Sequence, residues 1–201
     1  MAAPLEFYFD FSSPYGYIAA QRIDAIAAKH NREVDWRPML LGAVFKIAGT
    51  QPLTHYPLKG QYSTHDFKRS AREHGIAFNM PEKFPLPTQA AARGVYWLKE
   101  VLPAKAVPFI KAVYAAYFVD GKDISSPDLL ADIAAGMGVD RKELLAGIEN
   151  PEIKDKLREV NDDAIKNRGV FGSPFIIVDG EPFWGADRLE MIDRWLERGG
   201  W

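Results

Sequence analysis

Two hydrophobic periodicities follow each other in the first forty residues. Residues 5–11 read L-E-F-Y-F-D-F, an aromatic-rich alternation that predicts a β-strand. Ser13 and Pro14 then predict a helix start, with Ser as the N-cap and Pro at the first helical position. Apolar residues recur at helical spacing from there to residues 29–31, and residues 34–37 predict a second strand. Strand, helix and strand at this spacing indicate a βαβ unit with a parallel strand pair.

The middle of the chain, residues 39–168, has a helical pattern that proline-rich breaks interrupt. Two of its stretches predict a loop at 49–60 and an extended segment at 75–87. The remaining pattern predicts helices at 61–74, 88–101, 105–119 and 126–137, a short helix capped by Asp140, and a helix from Pro151 to about 167 with Gly169 as its C′ residue.

Strands return near the C-terminus. Residues 174–178, P-F-I-I-V, have the continuous apolar character of a buried strand. The dipeptide Asp179-Gly180 is typical of a hairpin turn, after which residues 181–184 predict an antiparallel strand. Residues 186–198 carry the apolar stripe of a final helix.

This order of elements predicts an α/β chain with a thioredoxin-like fold, in which a βαβ half and a ββα half share a four-stranded mixed sheet. We expect residues 1–38 and 169–201 to form the thioredoxin-like domain, and residues 39–168 to form a large all-helical insertion. In such a fold the junction after the first strand is the reactive site, and an X-Pro bond before the third strand packs against it. We therefore predict that Ser13-Pro14 and Ser173-Pro174 meet, and that the Ser173–Pro174 bond is cis.

Composition excludes several functional classes. The chain has no cysteine, which excludes dithiol exchange, a thiolate nucleophile of its own, zinc–thiolate sites and iron–sulfur clusters. The 25 basic and 27 acidic residues give a net charge of −2, which argues against a nucleic-acid partner or an anionic membrane surface. No long apolar stretch or signal-peptide pattern is present, so we expect no membrane association and a cytoplasmic location. The four His lack metal-ligand spacing, so we expect no metal.

The start of the first helix suggests a chemistry. Free backbone N–H groups and the helix dipole at Ser13 favour an anion, and they lower the pKa of a thiol held there. Because the chain has no thiol, a ligand must bring the thiolate, and glutathione is the obvious candidate. At the last helix, backbone donors at Ala186 and the carboxylate of Asp187 suit the zwitterionic γ-glutamyl end of glutathione. The alternatives are that Ser13 is only an N-cap, that Asp187 only compensates a helix dipole, and that Pro174 only begins a strand.

Three motifs together resemble one family. They are F-D-F-S-S-P-Y-G-Y at 9–17, F-G-S-P at 171–174 and W-G-A-D-R at 184–188. In this order and spacing they resemble the 2-hydroxychromene-2-carboxylate isomerases, which belong with the kappa-class glutathione transferases and, more remotely, with the DsbA-type oxidoreductases. The resemblance covers nearly the whole chain, including Arg37-Pro38 and P-L-K-G at 57–60.

The resemblance implies a set of site residues. Ser13 would hydrogen-bond and activate the glutathione sulfur, Ser173 would hold the glutathione backbone, and Ala186 and Asp187 would hold its γ-glutamyl end. The family motifs also imply that glutathione is bound by Pro14, Tyr15, Thr50, Lys59, Pro174 and Arg188, and that the aromatic substrate is faced by Lys46 and Phe84. Relatives often carry Asn at the position of Thr50 and Ser at that of Ala186.

The resemblance also implies a reaction. A glutathione-dependent isomerase would interconvert 2-hydroxychromene-2-carboxylate and trans-o-hydroxybenzylidenepyruvate, a step of aromatic hydrocarbon catabolism, by reversible thiolate addition. Its substrate is a small aromatic carboxylate, and relatives form homodimers, so we expect a homodimer here. Two other functions stay open: a kappa-like transferase that conjugates glutathione to electrophiles, and a non-catalytic thioredoxin-like binding module.

Overall fold

The computed structural model describes residues 2–201. Its four strands are β1 (Leu5–Phe9), β2 (Val34–Pro38), β3 (Phe175–Val178) and β4 (Glu181–Trp184). Its helices are α1 (Pro14–Ala20), α2 (Ile23–Lys29), α3 (Leu41–Ala48), α4 (Pro57–Glu73), α5 (Gln89–Val101), α6 (Pro103–Phe118), α7 (Pro127–Ala135), α8 (Arg141–Glu149), α9 (Pro151–Lys166) and α10 (Leu189–Arg198).

The four strands form one mixed sheet in the order β2-β1-β3-β4. Strand β1 runs parallel to β2 and antiparallel to β3, and β3 and β4 form the predicted hairpin. Tyr8 near the end of β1 is opposite Phe175 at the start of β3. The residues that follow β1 and those that precede β3 therefore lie side by side. The thioredoxin-like fold predicted from the sequence is confirmed, with a four-stranded mixed sheet and a mainly helical middle segment.

The alternation of β1 distributes its side chains to two hydrophobic clusters. Phe7 and Phe9 point to one side, where both rings meet Trp36 edge-on and Phe9 contacts Tyr114 of α6. Tyr8 points to the other side, into a smaller cluster with Phe175. The larger cluster joins the sheet to the helical segment 39–168. The domain division at 38/39 and 168/169 stays a prediction.

The prediction of one continuous first helix is wrong, because the structure divides this segment into two helices. The chain forms α1 and α2, and Gln21 and Arg22 lie between them. At this point the hydrogen-bond ladder tightens: the N–H of Arg22 donates to Ala19, three residues back, at 3.0 Å. The apolar spacing continues through the break because both helices contribute buried residues to the larger hydrophobic cluster, so periodicity alone could not show it.

The predicted loop at 49–60 is also partly wrong. A short 3-10 turn forms at Leu53–His55, and α4 begins at Pro57, four residues before the predicted start at 61. Pro57 lies at the first helical position, and the N–H of Gly60 donates to the carbonyl of Tyr56 at 2.8 Å. A side chain at position 60 would collide with the Thr54 carbonyl, which explains the glycine of the P-L-K-G motif.

Two predicted helix ends shift as well. Helix α9 ends at Lys166 with Asn167 as its C-cap, so the left-handed Gly169 lies one residue beyond C′ and is not the C′ residue that the sequence predicted. The predicted helix 186–198 begins as a 3-10 turn at Ala186–Arg188, closed by a hydrogen bond from the Arg188 N–H to Gly185. Ala186 and Asp187 thus lie before α10, not in its first turn.

Within residues 2–201, no helix combines the length and apolar character needed to cross a membrane.

Candidate functional site

The candidate site begins at the turn that follows β1. The N–H of Ser13 donates to the carbonyl of Asp10 at 2.9 Å, which closes a β-turn. Ser13 is then the N-cap of α1, where its Oγ accepts from the Gly16 N–H at 3.0 Å. Pro14 occupies the first helical position, where an N–H would have no helical partner. The predicted helix start is therefore confirmed.

Ser173 meets this turn across 160 residues of chain. The hydroxyl of Ser13 donates to the Ser173 carbonyl at 2.9 Å, and the N–H of Asp10 donates to the Ser173 hydroxyl at 3.0 Å. The Ser173–Pro174 bond is cis, as predicted. The antiparallel pairing of β1 and β3 produces the contact, because it places the segment after β1 beside the segment before β3.

The donors at this junction are partly used and partly free. The Ser13 hydroxyl has one proton, which it uses to donate a hydrogen bond to the Ser173 carbonyl. The hydroxyl must therefore rotate away from that carbonyl to donate to a ligand sulfur. The backbone N–H groups of Tyr15 and Ser173 have no hydrogen-bond partner within residues 2–201. Both residues are half-buried. The junction therefore offers two unpaired amide donors beside a buried hydroxyl.

Gly16 lies where the second cysteine of a Cys-x-x-Cys motif would stand. A Cβ built at Gly16 would lie 2.9 Å from the Ser173 hydroxyl, 2.9 Å from the Tyr114 hydroxyl and 3.0 Å from the Ser13 Cβ. These are closer than ordinary van der Waals contacts, so a side chain at this position would require its neighbours to shift. Neither end of the motif holds a sulfur, and one end could not accept one without rearrangement.

The segment 184–188 borders the junction from β4. The N–H of Gly185 donates to the Pro174 carbonyl at 3.1 Å, which ties the segment to the Ser173–Pro174 bond. Gly185 has a φ of 114°, a conformation that favours glycine, and the Asp187 carboxylate folds back over it. Asp187 and Arg188 are exposed and form an ion pair at 3.3 Å, whereas Ala186 is buried.

Tyr15 connects α1 to α4. Its hydroxyl donates to the Asp66 carboxylate at 2.5 Å, and its ring packs edge-on against Phe67. Burial and the bond to Asp66 raise the pKa of Tyr15, with a smaller contribution from the charge of Asp187. Burial alone would raise the pKa of Asp66, but bonds from Tyr15 and Arg69 lower it. Asp66, which accepts from the Tyr15 hydroxyl, was not singled out in the sequence.

Four predicted site residues make no hydrogen bond or ion pair with the Ser13 turn among the described residues. Thr50 and Lys46 are exposed at the end of α3 and in its last turn, and Lys59 is exposed on α4, with its Nζ 5.2 Å from the Tyr56 ring centre. Phe84 is half-buried and stacks on Tyr117 in the larger cluster, with ring centres 6.4 Å apart. No hydrogen bond or ion pair within residues 2–201 joins them to Ser13, so their roles stay predictions.

A surface cleft of about 590 Å³ lies beside α4, and no residue of the Ser13 junction lines it. His55, Tyr56, His65 and Lys68 are among the residues that form its walls. Within residues 2–201, no group of three or more His, Asp or Glu side chains is placed to hold a metal ion. The cleft and the junction are separate features.

Asp10 is the buried acid that sequence reasoning missed. Only 3% of the residue is exposed, yet no Lys, Arg or His pairs with it within residues 2–201. One carboxylate oxygen accepts from the Ser12 N–H and hydroxyl, both at 2.8 Å, and from the Thr88 hydroxyl at 3.1 Å. The other accepts from the N–H of Leu41 at 2.7 Å. Burial raises the pKa of Asp10, and these hydrogen bonds partly offset the rise. An acid between a strand and a Ser-Ser-Pro helix start is the sequence signal that could have indicated it.

Comparison with known proteins gives one consistent picture. The family description "DSBA-like thioredoxin domain" matches residues 4–197. A 2-hydroxychromene-2-carboxylate isomerase of Sphingobium xenophagum is 26% identical over 98% of this chain and 99% of its own, and glutathione S-transferase kappa 2 of Caenorhabditis elegans is 26% identical over 96% and 91%. A solved structure of a 2-hydroxychromene-2-carboxylate isomerase superposes with a TM-score of 0.87 at 26% identity, covering 96% of this chain and 94% of that one.

Proposed function

The chain belongs to the DSBA-like thioredoxin domain family, and we propose that within it the protein is a glutathione-dependent isomerase. The proposed reaction interconverts 2-hydroxychromene-2-carboxylate and trans-o-hydroxybenzylidenepyruvate. One observation carries the proposal: the contact of Ser13 with Ser173 builds a reactive-type thioredoxin junction in a chain that has no cysteine. The similarity of isomerases over nearly the full length supports the same function.

The residues at the junction fit glutathione. The unpaired N–H groups of Tyr15 and Ser173 are the donors that a peptide-like ligand needs, and Ser173 is poised to hold its backbone. Asp187 is exposed and can bind an ammonium group, while the backbone at Ala186 can bind a carboxylate. Thr50, Lys59 and Arg188 stand in the proposal as further contacts.

Each part of the junction has a task in the proposed reaction. Glutathione supplies the thiolate whose reversible addition turns the substrate's conjugated double bond into a single bond that can rotate. The Ser13 hydroxyl favours the thiolate over the thiol by donating a hydrogen bond to the sulfur. To do so, it gives up its hydrogen bond to the Ser173 carbonyl. Lys46, an exposed cation on α3, balances the substrate carboxylate.

The proposal is tested by ultraviolet absorbance of hydroxychromene carboxylate with the protein, with and without glutathione. We expect isomerisation only when both are present. Calorimetric titration with glutathione alone separates binding from chemistry. Absence of binding would contradict the proposal and would favour a non-catalytic thioredoxin-like module.

A second candidate is a transferase that conjugates glutathione to electrophiles. It has support because a kappa-class glutathione transferase matches this chain at the same 26% identity. The two functions share the thiolate site and differ in the fate of the adduct. Glutathione consumed in proportion to product indicates the transferase, whereas glutathione that is not consumed indicates the isomerase.

The proposal includes a cytoplasmic homodimer. Several large apolar side chains are exposed along α3, α4 and the segment between them, namely Ile47, Leu53, Leu58 and Tyr62. An apolar surface of this kind is typical of protein contacts. Light scattering at micromolar concentration should give twice the chain mass of 22.6 kDa.

A further inference from the structure

Asp10 connects several structural elements at the Ser13 turn. Its carboxylate accepts from Ser12 in the turn, from Leu41 at the first position of α3 and from Thr88 just before α5. Its backbone carbonyl accepts from Ser13 and from the Tyr114 hydroxyl, and its N–H holds the Ser173 hydroxyl.

The contacts of this carboxylate suit its ionised form, although burial raises its pKa. Two of its partners are backbone N–H groups, which can only donate. The other two are the hydroxyls of Ser12 and Thr88, each of which has a proton to donate to the carboxylate.

The titratable group in contact with Asp10 is the phenol of Tyr114 on α6, which donates to the Asp10 backbone carbonyl, and burial raises its pKa. Burial also raises the pKa of Tyr117 on the same helix, whose hydroxyl donates to the Lys83 carbonyl. From α3 and from the segment at Thr88, Asp10 receives uncharged donors. No neighbouring cation therefore cancels the charge of Asp10 within residues 2–201.

The charge lies close to the position that a thiol would occupy. The hydrogen bond from Ser13 to Asp10 closes a β-turn, in which the first and last Cα atoms are less than about 7 Å apart. A second anion at position 13 would thus form beside a buried carboxylate. Two such groups titrate as a coupled pair.

We propose that Asp10 is a positioning residue of the thiol site: its carboxylate fixes the turn that carries Ser13, and its buried negative charge opposes thiolate formation there. The inference rests on the proposed function, since it concerns a thiol bound at Ser13. A consequence for the reaction follows. The Ser13 hydroxyl lowers the pKa of the bound thiol, and Asp10 raises it. Because the nucleophilicity of a thiolate falls as the pKa of its thiol falls, the opposing effect of Asp10 preserves the nucleophilicity of the thiolate.

The absence of cysteine permits a test without glutathione. Ser13→Cys gives the protein a single thiol at the junction, and its pKa can be measured by thiolate absorbance and by the pH dependence of alkylation. In Ser13→Cys/Asp10→Asn we expect the pKa of this thiol to be about one unit lower than in Ser13→Cys, since a unit charge within about 10 Å at an effective dielectric constant of about 20 has that effect. The matched control is Asp155→Asn in the same background, an exposed acid on α9, which should leave the pKa unchanged.

A lower thiol pKa in the Asp10→Asn variant would follow from removal of the negative charge. An unchanged or raised thiol pKa would overturn the proposal, because the charge of Asp10 would then have no effect on thiolate formation. Calorimetry of the wild type with glutathione tests the proposed function separately.

A reciprocal measurement leaves Asp10 in place, in case its replacement prevents folding. Ser13→Asp and Ser13→Asn differ by one charge, and both residues are good N-caps. The pKa of Asp10, followed by carbon-13 NMR of its carboxyl group, should be about one unit higher in Ser13→Asp than in Ser13→Asn. Equal pKa values in the two variants would overturn the proposal.

Discussion

At the scale of single residues, the Ser13 hydroxyl takes part in two hydrogen bonds at once. It accepts from the Gly16 N–H as the N-cap of α1, and it donates to the Ser173 carbonyl. The bond accepted from Gly16 stabilises the start of α1, whereas the proton now donated to Ser173 is the one that would stabilise a thiolate in the proposed reaction. The two contributions can be separated by substitution.

Ser13→Ala should bind glutathione with the pKa of the bound thiol raised by about one to two units, because a hydrogen bond to a charged group contributes about 1.5–3 kcal/mol. The lost cap should lower the free energy of unfolding by about 1 kcal/mol. Thiolate absorbance and urea unfolding measure the two effects. Ser126→Ala is the control, since Ser126 caps α7 in the same way, and it should affect stability only. An unchanged thiol pKa in Ser13→Ala would leave Ser13 as a helix cap alone.

Gly16→Ala should lower the free energy of unfolding by about 1–3 kcal/mol, because its methyl group would press on the hydroxyls of Ser173 and Tyr114. Gly42→Ala in α3 is the matched control. Nothing lies within 4 Å of a Cβ at Gly42, so alanine there should stabilise the protein by about 0.4–1 kcal/mol. Urea unfolding of both variants gives the comparison, and equal signs would contradict the packing described for Gly16.

At the scale of elements, local patterns predicted the strands, the hairpin and the helix cap at Asp140. The break between α1 and α2 was missed because a shift of hydrogen bonding leaves the apolar spacing intact. The meeting of Ser13 and Ser173 could be predicted because the order of elements determines it.

The partners of Asp10 could not be predicted in this way. Thr88 and Tyr114 reach it from 78 and 104 residues away, and no local pattern records such contacts. Asp66 was missed for a similar reason: its bond to Tyr15 joins two helices whose relative placement the sequence does not state.

An ion-pair cluster joins β2 to α5 and gives the fold a pH dependence. Asp35 accepts from Lys99 at 2.7 Å and from Arg37 at 2.6 Å. Burial alone would raise the pKa of Asp35, but these two cations lower it below the ordinary value of 3.8. The stabilisation is thus present above the unfolded-state pKa and is lost as pH falls through the lower folded-state pKa.

We expect the free energy of unfolding of the wild type to fall more steeply below pH 4 than that of Asp35→Asn. Urea unfolding between pH 7 and pH 3 measures both slopes. Asp155→Asn, at an exposed site on α9, should keep the wild-type slope. Identical slopes for wild type and Asp35→Asn would show that the cluster does not contribute.

At the scale of the whole molecule, aromatic contacts join the sheet to the helical segment. Phe118 of α6 packs against Tyr17 of α1, with ring centres 5.3 Å apart, and Tyr114 of the same helix packs against Phe9 of β1 at 5.7 Å. A core that crosses both predicted domains favours cooperative unfolding.

Phe118→Ala should cost about 3–5 kcal/mol, as is usual for a fully buried ring, and should lower the amide protection of β1 and α6 together. Hydrogen exchange resolved by segment measures this. Val101→Ala, an exposed apolar position at the end of α5, should change protection little. If β1 kept its protection while α6 lost it, residues 39–168 would unfold as a separate domain, as the predicted division implies.

The surroundings of Gly16 also impose an order on evolutionary change. To become a dithiol protein, the chain needs sulfur at both 13 and 16. Replacing serine by cysteine at 13 adds no heavy atom to the crowded space. A mutation at 16 that comes first meets the hydroxyls of Ser173 and Tyr114, so one of these side chains must move or be replaced to make room. The less strained route to two sulfurs therefore begins at position 13, and position 16 follows once its neighbours have made room.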